Sequence, residues 1–182
     1  MKVKAAASVF FVIGTIAIFA FAGLSGSWGR ESNERDFLRF HIRANSNSAE
    51  DQAVKYLVKQ RVVNELTPIF YNVSGKADAM NRLARNLSFI QDIATNELEL
   101  NGFTYKAHAA VTSEFFPTRS YTVSNVNIVL PEGTYDALII SLGSGLGNNW
   151  WCVIYPPLCF LQNNIGGSEG VRFRSAILNW FR

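Results

Sequence analysis

Leu38, Phe40, Ile42 and Ala44 alternate with Arg39, His41 and Arg43, the two-residue period of a strand with one face buried and the other in water. The period then changes. Ser48-Ala49-Glu50-Asp51, a capping-box variant, precedes a stretch in which Val54, Leu57, Val58, Val62, Leu66 and Ile69 fall on one helical stripe. Asp51 and Lys55 stand four apart in the favourable order for an ion pair. Pro68 cannot donate to the helix ladder, which predicts a kink or an end near Leu66. Ser74-Gly75 opens a second helix that buries Met80, Leu83, Ala84, Leu87, Ile90, Ala94 and Leu98. Asn101-Gly102 closes it, with the glycine suited to a left-handed cap.

Alternation returns where Phe103, Tyr105, Ala107, Ala109 and Val111 interleave with Thr104, Lys106, His108, Ala110 and Thr112. Tyr121-Thr122-Val123 and Val126 to Leu130 are β-prone, Pro131-Glu132-Gly133 is a turn, and Ala137 to Leu142 reads as a buried strand. Trp150 to Tyr155 follows, stopped by Pro156-Pro157. A variable stretch from Gln162 to Gly170 then leads to a last element, Val171 to Phe181. The order β-α-α-β-β-β-β predicts a single α+β domain over residues 36–182. A pair of long amphipathic helices would lie on one face of a mostly antiparallel sheet.

Before that domain the chain changes character. Met1-Lys2-Val3-Lys4 is a short positive start, and Ala5 to Gly29 carries no charge. The apolar run from Val9 to Ala22 has the length of a secretory h-region and closes on Ala20-Phe21-Ala22, a pattern that suits cleavage between Ala22 and Gly23. The competing reading is an uncleaved anchor, since Ala5 to Ser25 is long enough to span a bilayer. Either way residues 30 onward leave the cytoplasm, and 23–35 form a polar stalk. Membrane contact is expected only through the N-terminal segment.

Charge narrows the classes of partner. The 182 residues carry 17 Lys and Arg against 14 Asp and Glu. Setting Lys2 and Lys4 aside leaves 15 against 14. A duplex-binding protein concentrates far more positive charge than that, so nucleic acid is not an expected partner.

Chemistry offers few candidates. Gly143-Ser144-Gly145-Leu146-Gly147 invites a phosphate reading, but no helix pattern and no Lys-Ser/Thr follows it. A tight connection between two strands fits better. Cys152 and Cys159 are the only cysteines, and in an exported chain an even pair reads first as a disulfide. Two buried free thiols and a reactive thiol stay open beside it. The reactive case needs His41 or His108 as base, both expected on solvated strand faces. Zinc on both cysteines and both histidines lacks the close ligand spacing of known zinc modules. Glu114 and Asp136 stand isolated near strand ends, and no carboxylate pair suggests acid–base work. No cofactor is implied. Arg39, His41 and Arg43 make a basic stripe, either a weak candidate contact or a plain solvent face. Trp150 and Trp151 are adjacent, so in a strand they point to opposite faces and only one enters a one-sided core. With Tyr155, Pro156 and Pro157 they form the leading candidate for a partner contact, against a reading in which both rings are buried.

Leu38-Arg-Phe-His-Ile-Arg-Ala-Asn-Ser46 with Ser48-Ala-Glu-Asp-Gln52 resembles the opening of the stage II sporulation protein R family. Further matching blocks are Glu114 to Tyr121, Leu130 to Leu138, and Gly143-x-Gly-x-Gly-x-Asn-Trp-Trp-Cys-Val-x-Tyr-Pro-Pro-Leu-Cys159, with Val171-Arg-Phe-Arg at the end. Asn47, Ile139 and Ser144 depart from the family pattern. The resemblance implies a secreted signalling protein of endospore formation, exported by the forespore into the space between forespore and mother cell. Its partner there would be the membrane-embedded aspartic protease that processes the precursor of the mother-cell sigma-E factor. On this reading the chain is a ligand and not an enzyme. A secreted Cys-dependent hydrolase of the cell envelope and a structural envelope protein are the alternatives.

Overall fold

The computed structural model describes residues 36–123 and 126–160. The signal segment 1–22 with its Ala22–Gly23 junction, the stalk 23–35, and the expected elements beyond residue 160 lie outside those residues. The described elements, in chain order, are β1 (Leu38–Arg43), α1 (Ala49–Phe70), α2 (Lys76–Leu100), β2 (Ala107–Phe116), β3 (Arg119–Val123), β4 (Val126–Leu130), β5 (Gly133–Leu142) and β6 (Asn149–Tyr155). A 3-10 turn, Leu158–Phe160, follows. The class is α+β and the element order is the expected one. No helix among the described residues is long and apolar enough to cross a membrane.

Four strands form a mixed sheet in the order β2-β5-β1-β6, while β3 and β4 make a separate two-stranded ribbon. β5 runs parallel to β1 and antiparallel to β2, and β6 runs antiparallel to β1. One face of the sheet presents Leu38, Phe40, Ile42, Leu138, Ile140, Leu142, Cys152 and Ile154 to the two helices. The opposite face is covered too. Phe37, Phe116, Tyr135, Ala137, Ile139 and Val153 pack there with Tyr121, Ile128 and Leu130 of the ribbon. β1 therefore lies between two layers, and Arg39 and His41, expected in water, are 0% and 1% exposed. Alternation along a strand reports which residues share a face, not what is laid over that face.

Ser48 caps α1 by accepting a hydrogen bond from the Asp51 N–H at 3.2 Å. The helix does not end near Leu66. It runs through the exposed Pro68 to Phe70, which is buried and stacks on Phe160 with centroids 5.6 Å apart. Burial of that ring holds the final turn against the lost proline donor. Leu57 is 46% exposed and Ala84 is also exposed, whereas Val63, Ala79 and Ile93 are buried instead. α2 ends as expected: Gly102 has φ +81°, and the N–H groups of Gly102 and Phe103 donate to the carbonyls of Glu99 and Leu98. The following strand begins at Ala107, not Phe103. Phe103 and Tyr105 sit before it with rings 5.3 Å apart, packed against the helix-side core.

The link between β5 and β6 has a topological task. Parallel β1 and β5 finish at the same edge of the sheet, and β6 starts on the far side of β1, so residues 143–148 must cross the end of β1. They do so in close contact with Ala44 to Asn47. Gly147 N–H donates to the Ala44 carbonyl (2.8 Å), Ser144 N–H to Asn45 Oδ1 (2.9 Å) and Asn148 N–H to Asn47 Oδ1 (2.7 Å). Gly143 and Gly145 have φ +55° and +66°. A Cβ on Gly143 would collide with the Asn45 side chain, and one on Gly147 with the Ser46 backbone carbonyl. The three glycines are thus required by a chain crossing, which is the strand-connection reading of this motif.

Candidate functional site

Asp51 and Lys55, expected as an ion pair, are both buried and serve that crossing separately. Asp51 accepts from Tyr105 OH at 2.5 Å and from Asn45 Nδ2 at 2.9 Å. Burial pushes its carboxyl up, but hydrogen bonds involving Ser46, Tyr105 and Asn45 outweigh this and hold it below the usual range. Lys55 Nζ donates to Gln52 Oε1 (2.6 Å) and to the Asn148 carbonyl (2.9 Å), and burial lowers its pKa. Asn45, Asp51 and Lys55 act as anchors of the loop.

The chemistry-bearing cluster is on the other face of the sheet, under the β3–β4 ribbon. The Arg39 guanidinium carbon lies 4.6 Å from the Phe116 ring centre, 4.8 Å from Tyr135 and 5.7 Å from Tyr121. Its Nη2 donates to Tyr121 OH at 3.0 Å. Three rings around a dry cation offset part of the cost of burying it. His41 packs at 4.7 Å against Trp151 and 5.1 Å against Phe116. Its Nε2 is 3.4 Å from Glu114 Oε2, too poorly placed to count as a hydrogen bond. Burial, then the Arg43 and Arg39 charges, push the His41 pKa down to about 3, so the ring is neutral at neutral pH. Burial likewise raises the Tyr121 phenol to about 12. Glu114 is not isolated: it pairs with Arg43 at the rim, where both side chains are about one-third exposed. Arg119 lies over Trp151 at 4.9 Å. Asp136 is also paired, with Lys76 at 2.8 Å and Ser113 at 2.5 Å.

Trp150 and Trp151 do point to opposite faces, and both are half-buried. Trp150 meets Phe40 edge-on at 5.3 Å on the helix side and has Lys59 over it at 5.6 Å. Tyr155 and Pro157 are half-buried, whereas Pro156 is buried and offers little to a partner. Cys152 and Cys159, the expected disulfide, are two free thiols, both buried. Cys159 Sγ donates to the Val153 carbonyl at 2.9 Å, and burial followed by the neighbouring Cys152 pushes its pKa well up. Cys152 faces the helices, His41 faces the ribbon, and His108 is exposed, so the structure brings no imidazole to either thiol.

The family profile of stage II sporulation protein R matches residues 34–164. The chain belongs to this family. The stage II sporulation protein R of Bacillus subtilis strain 168 is 36% identical over 129 residues, which cover 71% of this chain and 56% of that protein. The chain thus matches a little over half the length of its curated relative. No solved structure matches it significantly. In this stage II sporulation protein R domain the aromatic cage, the crossing loop and both thiols all lie within the matched span. Arg39, His41 and Arg43 are legible from sequence as one stripe, and Trp151 as a candidate, but not as a neighbour of that stripe. Glu114, Phe116, Arg119, Tyr121 and Tyr135 carried no spacing signal. Arg119 and Tyr121 arrive with the ribbon, Glu114 and Phe116 at the end of β2 and Tyr135 at the start of β5, so only the tertiary fold brings them to β1.

Proposed function

We propose that this protein is an exported signal of endospore formation that acts as a ligand. It activates the membrane-embedded aspartic protease that processes the sigma-E precursor, in the space between forespore and mother cell. Membership of the sporulation family carries this reading. A ligand of this kind shifts its target by binding the active state better than the inactive one, and it needs no catalytic group of its own. The thiols support that view: a nucleophilic cysteine requires a lowered pKa and an adjacent base, and Cys159 is shifted the other way.

The test places the full chain, with its own N-terminal segment, in a growing non-sporulating cell beside the protease and its precursor substrate. A blot follows precursor shortening, with a version lacking residues 1–22 as control. Shortening that requires the exported chain is the expected result. Shortening at the same rate without it would refute the ligand role.

A further inference from the structure

Six buried polar atoms among the described residues have no hydrogen-bond partner: Arg39 Nε and Nη1, both ring nitrogens of His41, Glu114 Oε2 and Arg119 Nε. Buried polar groups are normally paired, because leaving one unmet costs about 1–3 kcal/mol. Here all six belong to one place. Phe116 touches Arg39 and His41, Trp151 touches His41 and Arg119, and the two rings are 5.2 Å apart.

The imbalance has a sign. Arg39, Arg43 and Arg119 bring positive charge, His41 is neutral at neutral pH, and Glu114 is the anion paired at this site. N–H donors outnumber acceptors. The surrounding rings offset charge on Arg39 but give its Nε–H and Nη1–H no lone pair. We propose that this cage is a receptor for a carboxylate, carried by an acidic peptide segment of the partner protein. A carboxylate fits better than a dianion because Glu114 repels a second negative charge in proportion to its size. The walls of Phe116, Trp151, Tyr121 and Tyr135 suit the carbon stem of a Glu or Asp side chain. The carboxylate would reach the cage from the rim, where the Arg43 and Glu114 side chains are 30% and 34% exposed.

This inference deepens the ligand reading by naming what the partner presents, and its test does not use the protease. The full chain, labelled with 15N-arginine, is titrated with a blocked tetra-glutamate peptide, with acetate and with inorganic phosphate, while the Arg39 and Arg119 Nε–H signals are followed. The peptide is expected to shift both signals saturably. Arg39→Met should weaken it at least about tenfold, the value of one charge-assisted hydrogen bond. The variant should melt no lower than the parent, since it replaces an unneutralised buried charge with an apolar chain of similar volume. Arg119→Met, at a half-buried position, gives the same reading if Arg39→Met fails to fold. Acetate matching the peptide would overturn the peptide source, and a response to phosphate alone would overturn the carboxylate. Signals that ignore every probe while showing contact with water would mean that buried water fills the cage, and the proposal falls.

Discussion

Mild acid should destabilise this domain through His41. In the unfolded chain that imidazole titrates near its ordinary 6.5, whereas in the fold burial and two arginines hold it near 3. Below pH 6.5 the unfolded state therefore binds a proton that the native state refuses, and stability falls as pH falls. The loss begins near 6.5, grows by about 1.4 kcal/mol per pH unit, and levels off near 3. Between pH 7.5 and 5 it amounts to about 2 kcal/mol, a large share of an ordinary domain's stability. The depressed carboxylates of Asp51 and Asp136 lose their contributions only as pH falls through about 4 and below, so they leave this window clear. Urea melts at pH 7.5, 6 and 5 measure the effect. His41→Gln, which has nothing to protonate there, should flatten the dependence. A parent midpoint that does not move between pH 7.5 and 5, or a His41→Gln midpoint that falls in parallel with it, would refute the reasoning.

The crossing loop gives a second expectation: Gly147→Ala should cost several kcal/mol, because its Cβ meets the Ser46 backbone, which cannot rotate aside. A melting curve within about 0.5 kcal/mol of the parent would contradict it. Thiol titration of the full chain, denatured without reductant, should find two free thiols, and the native protein should react slowly because both are buried. A titre of zero would show a disulfide instead. Phe70→Ala should cost about 3–5 kcal/mol and melt the last turn of α1, seen as a loss of hydrogen-exchange protection around Thr67 to Phe70. Unchanged protection would mean that the helix past Leu66 does not depend on the stack against Phe160.

Local pattern carried much of this protein. Apolar period located β1 and both helices, and β-propensity and an apolar run located the ribbon strands and β5, because each of those choices depends on residues within a few positions of one another. Ser48 and Gly102 marked their helix ends for the same reason: a cap is a contact over three to five residues. The family blocks, too, are runs of adjacent residues.

The tertiary structure decided what no local window contains. Pro68 stays inside α1 because Phe70 finds Phe160, ninety positions along the chain. Asp51 leaves Lys55 for Tyr105 because the loop after α2 returns to the start of α1. Arg39, His41 and Arg43 read as a solvated stripe until the β3–β4 ribbon covers the strand that holds them; the ribbon brings Arg119 to the same place, and the end of β2 brings Glu114. Alternation assigns a residue to a face of a sheet. Whether that face is wet depends on a second layer, and the residues that build the layer are chosen by the fold's long-range contacts.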